Sequence, residues 1–173
     1  MEAPENIAAL KDGTKIRLGS IGVCDKQCIM SAFENLSGRS RYTRYHAPIG
    51  KLPDSYLESL LQADNLNSVV IVAYVADNDP LRGAGLARYV RLADEPGVAE
   101  CSITIADDFQ GKGLGALLLD YLVRHARLNK LSTLRGYVLS GNRPMIKLFE
   151  RYDHSVQAEG DGTLRYDIDT TSL

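Results

Sequence analysis

The sequence has no tryptophan and only three cysteines in 173 residues. Cys24, Cys28 and Cys101 cannot form a disulfide framework, and no histidine or further cysteine lies near the first two in sequence to complete a metal site. We therefore expect thiols in a reducing compartment and no bound metal. The length is that of one domain, which can bury its own core without a disulfide or a metal.

The chain also lacks an excess of either charge and any long apolar run. Its net charge is −2 and its pI about 5.9, so a basic surface for nucleic acid is not expected. No segment approaches the length of a membrane span, and the N-terminal region lacks a signal-peptide pattern. These absences predict a cytoplasmic protein with neither a nucleic-acid nor a membrane partner. Any anionic ligand must then be bound by a local feature.

Apolar periodicity and turn residues predict a single layered domain at residues 14–169, preceded by a flexible segment at 1–13. The element order is β-α-α-β-β-β-α-β-α-β-β, which indicates a mixed sheet with helices on its faces, an α/β or α+β fold. Residues 37–51 are rich in Arg, Tyr, Gly and Ser and are predicted to form a loop. Residues 113–129 form the strongest predicted helix. Its predicted apolar stripe comprises Leu114, Leu117, Leu118, Tyr121, Leu122, His125 and Leu128.

Three glycines in five residues, Gly111, Gly113 and Gly115, lie where a predicted strand gives way to this helix. Glycine lets the backbone approach a ligand closely. The N–H groups at a helix start lack acceptors, and the helix dipole places about half a positive charge there. The combination predicts an anion site for phosphate or pyrophosphate, which the net charge does not supply.

Three phosphate-loop patterns compete for this segment. The sequence contains no Walker-type loop. A dinucleotide pattern is formally satisfied by Gly111, Gly113 and Ala116, but it follows a five-residue loop and lacks a suitable acidic residue after the next strand. Gln110, Gly113 and Gly115 satisfy the third pattern, Gln/Arg-x-x-Gly-x-Gly/Ala. A glycine-rich turn without a ligand is the remaining alternative.

Two segments, QGKGLG at 110–115 and SGNRPM at 140–145, resemble the GNAT superfamily of acyl-CoA-dependent N-acetyltransferases. The resemblance covers about residues 14–168. More narrowly, RYTRY at 41–45 and the run AECSITIADDFQGKGLG at 99–115 look like the acetyltransferase domain of Pat-type bacterial protein-lysine acetyltransferases. The resemblance implies a mixed, mostly antiparallel central sheet with helices on both faces and a splayed strand beside the glycine loop.

The same resemblance implies that acetyl-CoA is the acyl donor. The splayed strand would pair with the pantetheine arm, and backbone N–H groups of the loop would bind the pyrophosphate. Asn142 matches an asparagine near the pantetheine, although capping a helix is an equally natural role for it. Phe149 replaces a tyrosine that donates a proton to the leaving thiolate in many members. The implied cofactor-binding residues are Ile103, Thr104, Ile105, Gln110, Gly111, Lys112, Gly113, Leu114, Gly115, Ala116, Asn142 and Phe149.

Glu100 aligns with the catalytic glutamate of the lysine-acetylating branch, and the resemblance implies that it is the general base. The attacking amine must be neutral, and at pH 7 a lysine amine is neutral in only about 1 in 2,500 molecules. A base therefore helps, and it needs a raised pKa and hence a partly buried carboxyl. An ordinary solvent-facing glutamate is the alternative. Cys101 points to the opposite face of a regular strand and is not expected to be a nucleophile.

The acceptor implied by the resemblance is a primary amine, either a protein lysine or a small molecule, which attacks acetyl-CoA directly in a ternary complex. Residues 39–46, which are basic and aromatic, either line the acceptor groove or form a solvated loop. A module that binds acyl-CoA without turnover is the competing hypothesis, and Phe149 favours it. The sequence leaves open whether the protein forms a homodimer.

Overall fold

The computed structural model describes residues 6–22, 25–77 and 82–172. Cys24 and most of a turn predicted at 77–80 lie outside these ranges. The strands are β1 (Asn6–Ala9), β2 (Lys15–Ser20), β3 (Ser68–Val75), β4 (Gly83–Arg91), β5 (Val98–Ile105), β6 (Thr133–Leu139), β7 (His154–Gly160) and β8 (Thr163–Asp169). The helices are α1 (Asp25–Glu34), α2 (Gly38–Tyr45), α3 (Asp54–Leu61), α4 (Leu114–Leu128) and α5 (Arg143–Phe149).

The strands form one sheet in the order β1-β2-β3-β4-β5-β6-β8-β7. Every neighbouring pair is antiparallel except β5 and β6, which are parallel and are joined by the crossover helix α4. The predicted mixed, mostly antiparallel sheet is therefore confirmed. The one parallel pair lies in the middle of the sheet, directly beside the glycine loop.

Alternating side chains divide the core between the two faces of the sheet. On one face, Val70, Val72 and Tyr74 of β3 pack with buried residues of α1 and α3. On the other face, α4 packs against the sheet through Leu114, Leu118, Leu119, Leu122, Val123 and Ala126. The predicted stripe of α4 is correct at Leu114, Leu118 and Leu122 but wrong at Leu128, which is 69% exposed.

Two predictions about the N-terminal third are wrong. The segment predicted to be flexible forms β1 from residue 6 onward, paired with β2, and Leu10 after it is buried. The predicted loop at 37–51 contains α2. The Ser37 side chain caps this helix by accepting a hydrogen bond from Ser40 N–H, and His46 ends it in the left-handed region at φ 53°.

Across the helices that the structure describes, none has both the length and the apolar character needed to cross a membrane.

Candidate active site

The strands β5 and β6 stay together over only three residues each. Val98–Glu100 pairs with Thr133–Arg135, and no pairing follows further along the two strands in the described sheet. Strand β5 nevertheless continues to Ile105 with β4 at its other edge, and β6 continues with β8. The two strands therefore diverge and leave one edge of β5 without a strand partner.

The open edge presents backbone groups of Ile103 and Ile105. In an antiparallel pair, successive residues direct their N–H and C=O groups to opposite edges. Ala106 N–H donates to Ala84 O of β4 at 2.9 Å, and Val98 O accepts from Leu92 N–H on the same side. The backbone groups of the even-numbered residues of β5 therefore face β4. Those of the odd-numbered residues face the space between β5 and β6, where the two strands have diverged. This is the splayed strand that the sequence resemblance implied.

The glycine loop turns the chain from β5 into α4 within a few residues. Gly111 and Gly113 have φ of +73° and +95°, a region that glycine adopts without strain. The first hydrogen bond inside the helix is donated by Leu117 N–H to Gly113 O at 3.2 Å. The N–H groups of Leu114, Gly115 and Ala116 therefore have no acceptor within the helix and remain for an anion.

The Gln110 side chain holds the glycine loop through hydrogen bonds to β5, to α2 and to Asp107. Its Nε2 donates to Ile105 O at 3.2 Å, to Ser40 Oγ at 3.1 Å and to Asp107 Oδ1 at 3.2 Å. Asp107 also accepts from Ser37 N–H and from Ser40 Oγ. Burial raises the pKa of Asp107, but these hydrogen bonds outweigh it and the pKa lies below its usual value. The loop is thus tied to the start of α2.

The turn between β1 and β2 supports the loop from another side, which the sequence did not predict. Lys11 N–H donates to Lys112 O at 3.1 Å, and Lys112 Nζ lies 2.8 Å from Asp12 Oδ2. The hydrogen bond from Lys112 is the main reason that the pKa of Asp12 lies well below its usual range. The Lys11 side chain passes beside Gly113. Basic side chains therefore border the predicted anion site.

Glu100 lies on β5 at the last pair before the strands diverge, and its side chain is exposed. The expectation of a partly buried carboxyl is therefore wrong. Cys101 faces the other side, is 5% exposed, and burial together with the Glu100 charge raises its pKa to about 12. The prediction that Cys101 points away from Glu100 is confirmed.

Asn142 and Phe149 are both on α5 or at its start. Asn142 caps the helix, because its Oδ1 accepts from Met145 N–H at 3.4 Å. Phe149 is 1% exposed and packs on Tyr166, with ring centroids 5.6 Å apart, and a Cβ on Gly136 would lie 2.4 Å from its ring. The ring is buried in the core, and the predicted contact of Phe149 with the cofactor stays a prediction.

Arg44 of α2 forms hydrogen bonds with side chains of β5, a contact that the sequence analysis did not predict. Its Nε donates to Thr104 Oγ1 at 3.1 Å, and its Nη2 donates to Ser102 Oγ and to Tyr56 Oη, both at 2.8 Å. Ser102 and Thr104 share a face of β5 with Glu100. Arg44 of the basic segment 39–46 therefore lies along the face of β5 that carries the candidate base.

A mainly apolar cavity of about 50 Å³ lies beside this group, between α1, α3 and the sheet. Tyr45, Tyr56 and Thr104 are among its lining residues, so it opens near the side chains that hold Arg44. Burial raises the pKa of Tyr45 to about 12, so its phenol is neutral at pH 7. Within the part of the chain that is described, no group of three or more His, Cys, Asp or Glu residues could hold a metal ion.

The chain is similar to known acetyltransferases. The family model for the acetyltransferase (GNAT) family matches residues 34–153. An acetyltransferase of Pseudomonas aeruginosa is 30% identical over 145 residues, which cover 84% of this chain and 77% of that protein. The acetyltransferase Pat of Mycolicibacterium smegmatis is 27% identical over 133 residues, covering 77% of this chain and 39% of that protein. The solved GNAT domain of S. lividans PAT superposes with a TM-score of 0.86 and 26% identity, covering 97% of this chain and 99% of that one.

Proposed function

The chain belongs to the GNAT acetyltransferase family, and we propose that it transfers the acetyl group of acetyl-CoA to a primary amine. The observation that carries the proposal is the open edge of β5 at Ile103 and Ile105, directly followed by the glycine loop. An extended amide-bearing arm can pair with such an edge as an added strand. A pyrophosphate at its far end would then meet the N–H groups at the start of α4.

Each half of the cofactor has its own residues in this proposal. The pantetheine arm pairs with the backbone of Ile103–Ile105, of which Ile105 O already accepts from Gln110. The pyrophosphate takes the backbone N–H groups of residues 111–116, since Gln110 N–H already donates to Asp107 O, and the Lys112 side chain beside them is paired with Asp12. The Asn142 side-chain amide contacts the pantetheine while its oxygen continues to cap α5.

Glu100 acts as the general base in the proposed reaction. The amine nitrogen attacks the thioester carbon, its proton passes to Glu100 directly or through water, and the CoA thiolate leaves. The N–H of Ile103 donates to the oxyanion that forms on the carbonyl oxygen. The Glu100 carboxylate is exposed, so a bound acceptor is the group that must shield it from water.

The acceptor is a protein lysine or a small amine. Similarity to Pat proteins favours a protein lysine. The alternative is a module that binds acetyl-CoA without turnover, and the replacement of the usual proton-donating tyrosine by Phe149 favours it. A thiolate with a pKa near 8.5 is a fair leaving group, so water can protonate it after departure.

Binding of the cofactor is tested by thermal unfolding with CoA and, in parallel, with NAD. A ligand at about a hundredfold excess over its Kd stabilises a protein by roughly 2.7 kcal/mol, which for this size raises the Tm by about 5–10 °C. We expect that rise with CoA and none with NAD. A shift with NAD alone would support the dinucleotide pattern and contradict the proposal.

The role of the base is tested with Glu100→Gln, and Glu159→Gln on the distant strand β7 is the matched control. General bases typically contribute 10²–10⁴-fold. We expect kcat/KM at pH 7–8 to fall by about a hundredfold in Glu100→Gln and to remain unchanged in the control. The deficit should shrink at higher pH, where the amine loses its proton unaided. An unchanged rate at pH 7–8 would refute the assignment.

A further inference from the structure

Arg44 and Arg88 both lie close to the ring of Tyr56, on the face of the sheet that carries Glu100. The guanidinium carbon of Arg44 is 5.9 Å from the centre of the Tyr56 ring, and that of Arg88 on β4 is 5.5 Å from it. Arg88 is the register partner of Ser102, which accepts a hydrogen bond from Arg44. The two guanidinium groups are therefore neighbours on one face of the sheet.

Neither arginine has a carboxylate partner among the residues that the structure describes. The partners of Arg44 are the hydroxyls of Ser102, Thr104 and Tyr56, and Arg88 Nη1 donates to Ser59 Oγ at 3.1 Å. Other arginines of this sheet are paired with carboxylates, as Arg135 is with Glu95 and Asp167. Two adjacent positive charges without a counterion repel each other and favour a bound anion.

Both side chains also keep hydrogen-bond donors for a ligand. Arg88 Nε is buried and has no acceptor within the described residues. Arg44 Nη1 and Arg88 Nη2 likewise donate no hydrogen bond there. A guanidinium N–H forms a charge-assisted hydrogen bond with a carboxylate. A carboxylate can therefore accept from Arg44 Nη1 and Arg88 Nη2 together and supply the missing negative charge, whereas the buried Arg88 Nε is out of a ligand's reach.

The distance from Glu100 to the two arginines determines how far apart the amine and the carboxylate of the ligand must be. Glu100, Ser102 and Thr104 follow one another on one face of β5, with about 7 Å between successive members. Arg44 is bonded to the last two. A molecule whose amine lies at Glu100 and whose carboxylate lies at Arg44 therefore needs roughly 7–10 Å between the two groups.

We propose that Arg44 and Arg88 bind a carboxylate of the amine acceptor, so that the preferred acceptor carries an amine and a carboxylate separated by a chain of about five or six carbons. This inference rests on the proposed function, because it takes Glu100 as the point where the amine reacts. The carboxylate belongs either to a small amino acid or to an acidic side chain close to the lysine in a peptide.

The kinetic test compares 6-aminohexanoate with hexylamine, which have the same chain length but differ in the carboxylate. We expect kcat/KM for 6-aminohexanoate to exceed that for hexylamine by about tenfold or more in the wild type, the size of a charge-assisted hydrogen bond. Arg44→Gln and Arg88→Gln should each bring this ratio toward one. The control Arg124→Gln removes an exposed arginine of α4, on the opposite face of the sheet, and should keep the ratio.

The ratio of the two kcat/KM values distinguishes loss of carboxylate recognition from structural damage. A disturbed α2 would lower kcat/KM equally for both acceptors and leave the ratio unchanged. A wild-type ratio near one would overturn the inference and leave the proposed function intact. A ratio that survives both substitutions would overturn it as well. A peptide pair with Glu or Gln two residues from the lysine identifies the source, since a preference for Glu points to a protein acceptor.

A binding measurement tests the inference even if no acceptor turns over. In an amide NMR titration of the protein with CoA present, hexanoate should shift the signals of Ser102 and Thr104, whereas hexanamide should not. The hexanoate shifts should disappear in Arg88→Gln and persist in Arg124→Gln. Equal shifts with hexanamide would show that the arginine pair does not recognise the carboxylate.

Discussion

At the scale of single residues, the proposed anion site of the glycine loop, residues 110–115, is formed by backbone N–H groups rather than by side chains. Gly113 adopts φ +95° at the residue that precedes α4, and the following three N–H groups are left for an anion. Gly115 is limited by packing instead, since a Cβ there would lie 3.3 Å from Leu148 Cδ2. Both glycines were identified from the sequence, because spacing alone defines this loop.

Gly113→Ala should weaken acetyl-CoA binding and the fold together. A non-glycine residue in the left-handed region costs about 1–2 kcal/mol, and relaxing that strain moves the N–H groups of the loop. We expect the free energy of unfolding to fall by this amount and the Kd for acetyl-CoA, measured by calorimetry, to rise at least tenfold. Gly19→Ala is the control, because this glycine of β2 has open space around it and lacks a positive φ. Unchanged affinity in Gly113→Ala would contradict the pyrophosphate assignment.

The sequence analysis did not predict correctly how exposed the candidate site residues are. Glu100 is exposed although a general base was expected to be partly buried, and Phe149 is 1% exposed although it was expected to contact the cofactor. Motif spacing places a residue on a strand or a helix, but its burial depends on which other elements cover that point. In the case of Phe149, the deciding neighbour is Gly136, whose missing side chain makes room for the ring.

At the scale of elements, two pieces that the sequence did not predict both support the loop. Helix α2 has no buried residue, so it shows none of the apolar periodicity from which helices are predicted. It is held by its Ser37 cap, by Asp107 and by Arg44. Strand β1 has only four residues. Elements stabilised by distant hydrogen bonds rather than by their own pattern are invisible to sequence reasoning.

Asp107→Ala should loosen the connection between α2 and the loop. The carboxylate accepts from Ser37 N–H and Ser40 Oγ, and because both hydrogen bonds are exposed their loss costs about 0.5–1.5 kcal/mol. Because the pKa of Asp107 is lowered in the folded state, its contribution is complete above pH 4 and is lost as the pH falls further. Urea unfolding at pH 7 should show the destabilisation, and at low pH the variant and the wild type should converge.

The neighbouring variant Asp108→Ala is the control for this measurement. Asp108 forms an exposed ion pair with Arg82, a type of contact that contributes about 0–1 kcal/mol. If the two variants lose equal stability at pH 7, the tie through Asp107 does not hold α2 to the loop.

At the scale of the whole molecule, the two edges and the faces of β5 have different surroundings and different proposed roles. One edge pairs with β4 along the strand, and the other is free beyond Glu100, where the cofactor is proposed to bind. The face toward α1–α3 carries Glu100 and the two arginines proposed for the acceptor. The residue patterns predicted the mixed sheet and the β-α-β crossover, and the family resemblance implied the open edge at Ile103–Ile105. Periodicity alone does not show where β5 and β6 diverge, because strand divergence leaves no periodic signal.

The most direct test of the central claim is to measure both products of one reaction. Wild-type protein is incubated with acetyl-CoA and either 6-aminohexanoate or a lysine peptide, and the released thiol and the acetylated amine are quantified together. We predict equal amounts of the two products, formed at a rate proportional to protein concentration. Thiol release no faster than without protein, for every acceptor and with CoA binding demonstrated, would contradict the claim and leave a module that binds acetyl-CoA without turnover.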